Sequence, residues 1–219
     1  MTTAAAIVAE LRAQCSPHNV EGQRRFGITP NSEQFGLPVP ILRQIARENR
    51  RNHVLALELW DTAVHDARLI AAFMDDPKQV TRRQMEAWAK DFDTWAVVDG
   101  VCCTVFNRTP FAKEKAYAWS KRRPEFIKRA GFVLMAAMAV HRKELPDATF
   151  IAFLPVLRRE ATDERHYVKK AVNWALRQIG KRNPRLRRAA IAEAKRIKKI
   201  DSPSARWIAT DALRELANR

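Results

Sequence analysis

Apolar positions recur at helical spacing over most of the chain, in short bursts separated by Asp, Asn, Pro or Gly residues that suit helix ends. A first burst predicts a helix over Thr3 to Cys15. The pattern then breaks over Ser16 to Val39, where Pro17, Gly22, Gly27, Pro30 and Pro38 fall, and this stretch reads as irregular. Pro40 suits the first turn of a helix. From there the pattern predicts a relay of helices: Ile41 to Arg50, His53 to Thr62, Asp66 to Met74, Thr81 to Phe92, Thr94 to Phe106, Ala112 to Lys121, Pro124 to His141, Ala148 to Glu160, Asp163 to Ile179, Arg185 to Lys198 and Pro203 to Leu216. With only 6 Gly, and Pro scattered between Ala-, Leu- and Arg-rich segments, strands and hairpins find few turn signals.

A weak repeat runs through the relay. Four predicted helices open on a basic residue followed by apolar ones, at Arg68, Arg129, Lys170 and Arg206. A period of about 40 residues is typical of paired-helix units, in which each pair buries one face on its neighbour. The gap between Arg68 and Arg129 is too long and implies an irregular unit. The expected architecture is one all-α domain over residues 1–219, an α-α superhelix of HEAT-like helical pairs, with the recurring basic residues lining its concave side.

Composition adds a partner. Lys and Arg number 40 against 24 Asp and Glu, a net charge of +16. Between Phe150 and Arg219 there are 18 basic and 7 acidic residues, so most of the excess lies in the last third. Such a charge repels itself in a compact fold and points to a polyanion. A membrane surface fits less well, because no strong Trp/Phe edge backs the basic segments. No apolar run approaches the ~20 residues of a membrane span, and no leader pattern precedes the first helix. Cys15, Cys102 and Cys103 are odd in number and include an adjacent pair, which fits a reducing cytoplasm. Cys102 and Cys103 read as buried packing residues, and the five His residues lack metal-ligand spacing with one another or with the cysteines. No metal and no cofactor is expected.

Trp95 and Asp99, spaced i, i+4, project from one helix face. Cleaving an N-glycosidic bond develops positive charge on the sugar. A carboxylate and an indole π-face both stabilise a cation, and the carboxylate can orient water toward the anomeric carbon. On its own the pair also fits a core indole beside a solvated or capping carboxylate. Lys128 and Arg129 sit near the start of a long apolar helix, as solvated flanks or as phosphate contacts. Lys170, Trp174 and Arg177 form a cation, aromatic, cation stripe at i, i+4, i+7, a pattern that suits nucleic acid better than a core. Trp60, Trp88 and Trp119 read as packing between helix pairs, whereas Trp207, next to Arg206, could face DNA.

In order and spacing, Trp95-x-x-x-Asp99, Lys128-Arg129-Ala130 and the segment Val168 to Arg177 resemble the AlkD family of DNA alkylation repair proteins. The likeness extends through Phe35 to Arg43 and His65 to Leu69. The resemblance implies a HEAT-like superhelix that embraces duplex DNA and hydrolyses 3-methyladenine and 7-methylguanine without base flipping. It further implies that Trp95, Trp174 and Asp99 meet the lesion's deoxyribose and that Arg129 holds the backbone. Lys170 and Arg43 stand where further DNA-contacting cations belong. Where the family often has a hydroxyl residue before the proline of the third helix, this chain has Val39, which cannot cap or donate to a phosphate.

The expected function is therefore excision of cationic alkylpurines from double-stranded DNA. The expected catalytic residues are Asp99, Trp95 and Trp174, with Arg129, Lys128, Lys170, Arg43, Arg177 and Arg206 on the DNA. A monomer is expected, cytoplasmic and associated with the nucleoid when bound to DNA. A purine alkylated at N3 or N7 already bears positive charge and leaves without a proton donor. The competing expectation is a non-catalytic helical-repeat protein that binds damaged or branched DNA.

Overall fold

The computed structural model describes residues 2–217. Among them are thirteen α-helices, one 3₁₀ turn at Phe106–Arg108 and no strand, so the chain is all-α. In chain order the helices are α1 Ala4–Ala13, α2 Pro17–Arg25, α3 Val39–Glu48, α4 His53–Asp61, α5 His65–Met74, α6 Arg82–Lys90, α7 Trp95–Thr104, α8 Ala112–Trp119, α9 Glu125–His141, α10 Asp147–Arg159, α11 His166–Lys181, α12 Pro184–Lys198 and α13 Pro203–Ala217. The starts follow from local chemistry. Thr3, Ser16, Asn52, Thr81, Thr94 and Asn183 each cap a helix by accepting a hydrogen bond from a first-turn amide, while Pro17, Pro40 and Pro184 occupy first-turn positions where no amide is needed.

One helix departs from the sequence expectation. Helix α2 lies in the stretch read as irregular and buries no residue, so no apolar periodicity announces it. The cap Ser16 and Pro17 at the first helical position were its signal.

The chain forms two compact units, Met1–Thr109 and Pro110–Arg219. In the N-terminal unit α5 is central: it packs on α3, α4 and α7, and nine of its ten residues are buried. Trp60 of α4 and Trp88 of α6 stack with ring centroids 4.0 Å apart and form the second layer. The C-terminal unit repeats the arrangement around α9, apolar all round from Ala130 to Ala139 as a central helix must be. Helices α9, α11 and α13 pack in succession as one layer, and α10 and α12 pack together as the other. Gly131 lets α8 approach α9, since a Cβ there would lie 2.5 Å from the Ser120 amide nitrogen.

Candidate functional site

Helix α7 opens at Trp95 because Thr94, fully buried, accepts a hydrogen bond from the Val97 amide at 3.3 Å. Asp99 follows one turn later, and both residues are half-buried. They line one cavity of about 360 Å³, together with Arg43 of α3, His65, Leu69 and Phe73 of α5, and Cys103 further along α7. Its remaining wall includes Ile28 and Leu37, from the segment that joins α2 to α3, and Val39, the first residue of α3.

That segment is held from several sides. The Trp95 indole N–H donates to the Phe26 carbonyl at 3.0 Å, the Asn31 amide to Asp93 at 2.9 Å, and the His65 amide to the Glu33 carbonyl at 2.9 Å. Asp66, almost fully buried, accepts from the Phe35 and Leu37 amides at 2.9 and 3.0 Å. Gly36 between them has φ +76°, and a Cβ there would meet Val20 and the Ser16 carbonyl at 2.9 Å. The indole is thus fixed at its polar edge. Across the cavity the exposed Arg43 lays its guanidinium over the Phe73 ring, 4.3 Å from the centroid. A carboxylate, an indole and a stacked guanidinium therefore share one largely apolar, solvent-connected space.

His65 was not singled out by sequence, although it belongs to a segment on which the family resemblance rests. It lines the same cavity with only 3% of its surface exposed, and its Nδ1 makes no hydrogen bond. Burial lowers its pKa, with Asp66 and Asp93 opposing, so the ring is neutral at pH 7. Cys103 also departs from expectation: it is half-buried and lines the cavity, whereas Cys102 is fully buried as read. At Val39 the structure gives α3 no side-chain cap at all, since Pro38 occupies the capping position.

In the C-terminal unit several of the expected DNA contacts are engaged within the protein. The Lys128 ammonium is held by Glu160 at 2.7 Å and Asp163 at 2.8 Å, with 12% of the side chain exposed. Burial alone would raise the Asp163 pKa. Hydrogen bonds from Arg165 and Lys128 outweigh it and hold the carboxyl down at about 2. Arg177 is likewise occupied by Glu215 and by Asp211 at 3.6 Å. Arg129 is buried, donating to the Tyr167 carbonyl at 2.9 Å and so tying α9 to the first turn of α11. Arg206 is exposed and pairs with Asp201 at 2.8 Å.

Lys170 and Trp174 differ from these. Lys170 is exposed with no carboxylate partner among the described residues, and Trp174, one turn on, is half-buried with its indole N–H making no hydrogen bond there. Trp207 is 41% exposed, and the Lys169 ammonium lies 5.8 Å from its ring centroid. Trp60, Trp88 and Trp119 are core residues, as expected.

The repeat acquires a different meaning. The basic residues do not form one surface line, because Arg68 is buried against Trp60 and Asp91 as Arg129 is against Tyr167. They do share a register: Arg43, Arg68, Arg129, Lys170 and Arg206 are each the fourth or fifth residue of α3, α5, α9, α11 and α13. The helix that the long gap skips is α7, and its fifth residue is Asp99. An acid thus stands at the register where five other helices carry a cation.

Three comparisons bear on identity. A model of the family described as "DNA alkylation repair enzyme" matches residues 7–216. The chain is 24% identical over 194 residues to the uncharacterized protein Lin0241 of Listeria innocua, covering 87% of this chain and 84% of that protein. It is also similar to a solved structure described as "a new family of proteins related to the HEAT-like repeat DNA glycosylases with affinity for branched DNA structures". That likeness has a TM-score of 0.79 at 18% identity, over 98% of this chain and 95% of the other. The fold is thus that of the HEAT-like repeat proteins, and the family match spans nearly every described helix. The chain belongs to the DNA alkylation repair enzyme family.

Proposed function

We propose that the protein is a DNA glycosylase that hydrolyses the N-glycosidic bond of cationic alkylpurines, with 3-methyladenine and 7-methylguanine as its substrates in duplex DNA. The observation that carries this reading is the shared cavity of Trp95 and Asp99, in which an anion and the face of an indole meet in an apolar surround. There a developing sugar cation is stabilised more strongly than in water. Asp99 takes the role of electrostatic partner and water-orienting base, and Trp95 contributes its π-face. Trp174 serves as the DNA-facing indole of the C-terminal unit and Lys170 as its phosphate contact; Arg43 is the backbone contact of the N-terminal unit. The leaving base carries its own charge, so no general acid is required. The test is incubation with methylated duplex DNA followed by chromatography of the freed bases. Release of both bases above the spontaneous rate is expected, reduced about 10²-fold by Asp99→Asn. No release above that rate refutes the reading.

A second reading, binding of branched DNA without catalysis, draws on the structural neighbour described as having that affinity. It predicts that Asp99→Asn leaves every measurable property unchanged or tightens binding.

A further inference from the structure

The C-terminal unit carries a second cationic surface, on the layer away from Lys170 and Trp174. Helix α12 buries Leu186, Ala190, Glu193, Ala194 and Ile197 against α10, α11 and α13. Rotated by the 100° per residue of an α-helix, Arg188, Lys195 and Lys199 fall within about 20° of one line, diametrically opposite that buried face. All three are exposed, as is Ala192 between them. None of the three cations has a carboxylate partner among the described residues. This separates them from Lys128, Arg177 and Arg206, whose charges are matched by carboxylates.

Helix stability does not account for the arrangement. Cations favour the C-terminal end of a helix, which suits Lys195 and Lys199, but the opening of α12 holds Arg185, Arg187 and Arg188 and no acidic residue, against the helix dipole. A lipid surface is a poor match, since the apolar face of α12 is spent inside the unit and the exposed face offers only Ala192 between charges. The stripe runs about 16 Å along the helix axis, a straight cationic track of the kind that neutralises consecutive phosphates of a nucleic-acid backbone.

We infer that α12 is a docking surface for a second DNA duplex, separate from the one engaged by Lys170 and Trp174. The inference rests on the DNA-binding part of the reading above. The α9, α11, α13 layer and the exposed face of α12 point to opposite sides of a two-layer unit. A duplex is stiff over about 150 base pairs, so wrapping one around that unit to reach both sides carries a bending cost that a second duplex does not. The second occupant is therefore another duplex, either a separate molecule or another arm of a junction.

The test captures the full-length protein on an immobilised undamaged duplex and then offers a second, fluorescent duplex. A parallel arm presents a four-way junction to the protein in solution. The wild type is expected to retain the second duplex. R188E/K195E/K199E is expected to lose at least about tenfold of that retention, with capture by the first duplex within about twofold and the helical circular-dichroism signal unchanged. R188Q/K195Q/K199Q falls between the two. If junctions alone show the loss, the second occupant is a junction arm. Wild-type protein that is captured but holds no second duplex and has no excess affinity for the junction overturns the inference and leaves the glycosylase reading standing. Equal retention by wild type and charge-reversed variant overturns it as well. Failure of capture itself refutes both the inference and DNA binding.

Discussion

The two units of this protein differ most in charge. The N-terminal unit contains 13 basic and 13 acidic residues and is neutral; the C-terminal unit contains 27 and 11 and so carries the whole net charge of +16. The cavity with Trp95 and Asp99 lies in the neutral unit. On the reading proposed above, this separation suits glycosidic chemistry. Long-range attraction to a polyanion needs many cations, whereas stabilising a sugar cation needs a carboxylate beside the reacting carbon. The net positive charge thus lies in one unit and the cavity acid in the other, where Arg43 lines the same cavity.

The comparison can be broken or sharpened by substitution. The largest expected effect separates structural cations of the C-terminal unit from functional ones. Lys128→Ala leaves Glu160 and Asp163 short of a partner and lowers unfolding stability by about 2–4 kcal/mol in denaturant titration, with DNA affinity unchanged. A loss of affinity without a loss of stability would return Lys128 to the DNA-contact set. The next effect is on pH. Asp163 titrates at about 2 in the folded protein, below the usual carboxylate value. Its contribution, about 1–2 kcal/mol, is therefore complete above about pH 4 and is lost as pH falls through about 2. Asp163→Asn should destabilise at pH 7, and the difference from wild type should close by about pH 2. The smallest effect belongs to the neutral unit. Trp95→Ala removes one π-face and slows base release about tenfold, measured as single-turnover rate, while leaving the salt dependence of DNA binding as in the wild type.

Local structure was largely legible in the sequence. Twelve of the thirteen helices were expected near their observed positions, because each buries an apolar face and most start on a cap or proline that can be read directly. Helix α2 buries no residue and left no periodic trace. The i, i+4 pairing of Trp95 and Asp99 was also legible, since helix geometry alone puts them on one face. The fate of the cations was not. Lys128 meets acids 32 and 35 positions away, and Arg177 meets Glu215 from the next helix of its layer. Only packing reveals such partners. His65 was missed for a related reason: an unpartnered ring nitrogen is a property of its surroundings and has no sequence pattern.

The division between an acid-bearing neutral unit and a cationic unit is tested most directly by one paired measurement, the base-release rate at saturating protein together with the dissociation constant. It is made on Asp99→Asn and on Lys170→Ala. The account predicts that Asp99→Asn lowers the saturated rate about 10²-fold with the dissociation constant within about twofold. Lys170→Ala is predicted to weaken binding and flatten its salt dependence by about 0.9, at an unchanged saturated rate. An Asp99→Asn protein that releases bases at the wild-type rate, or that loses affinity in step with rate, would contradict it.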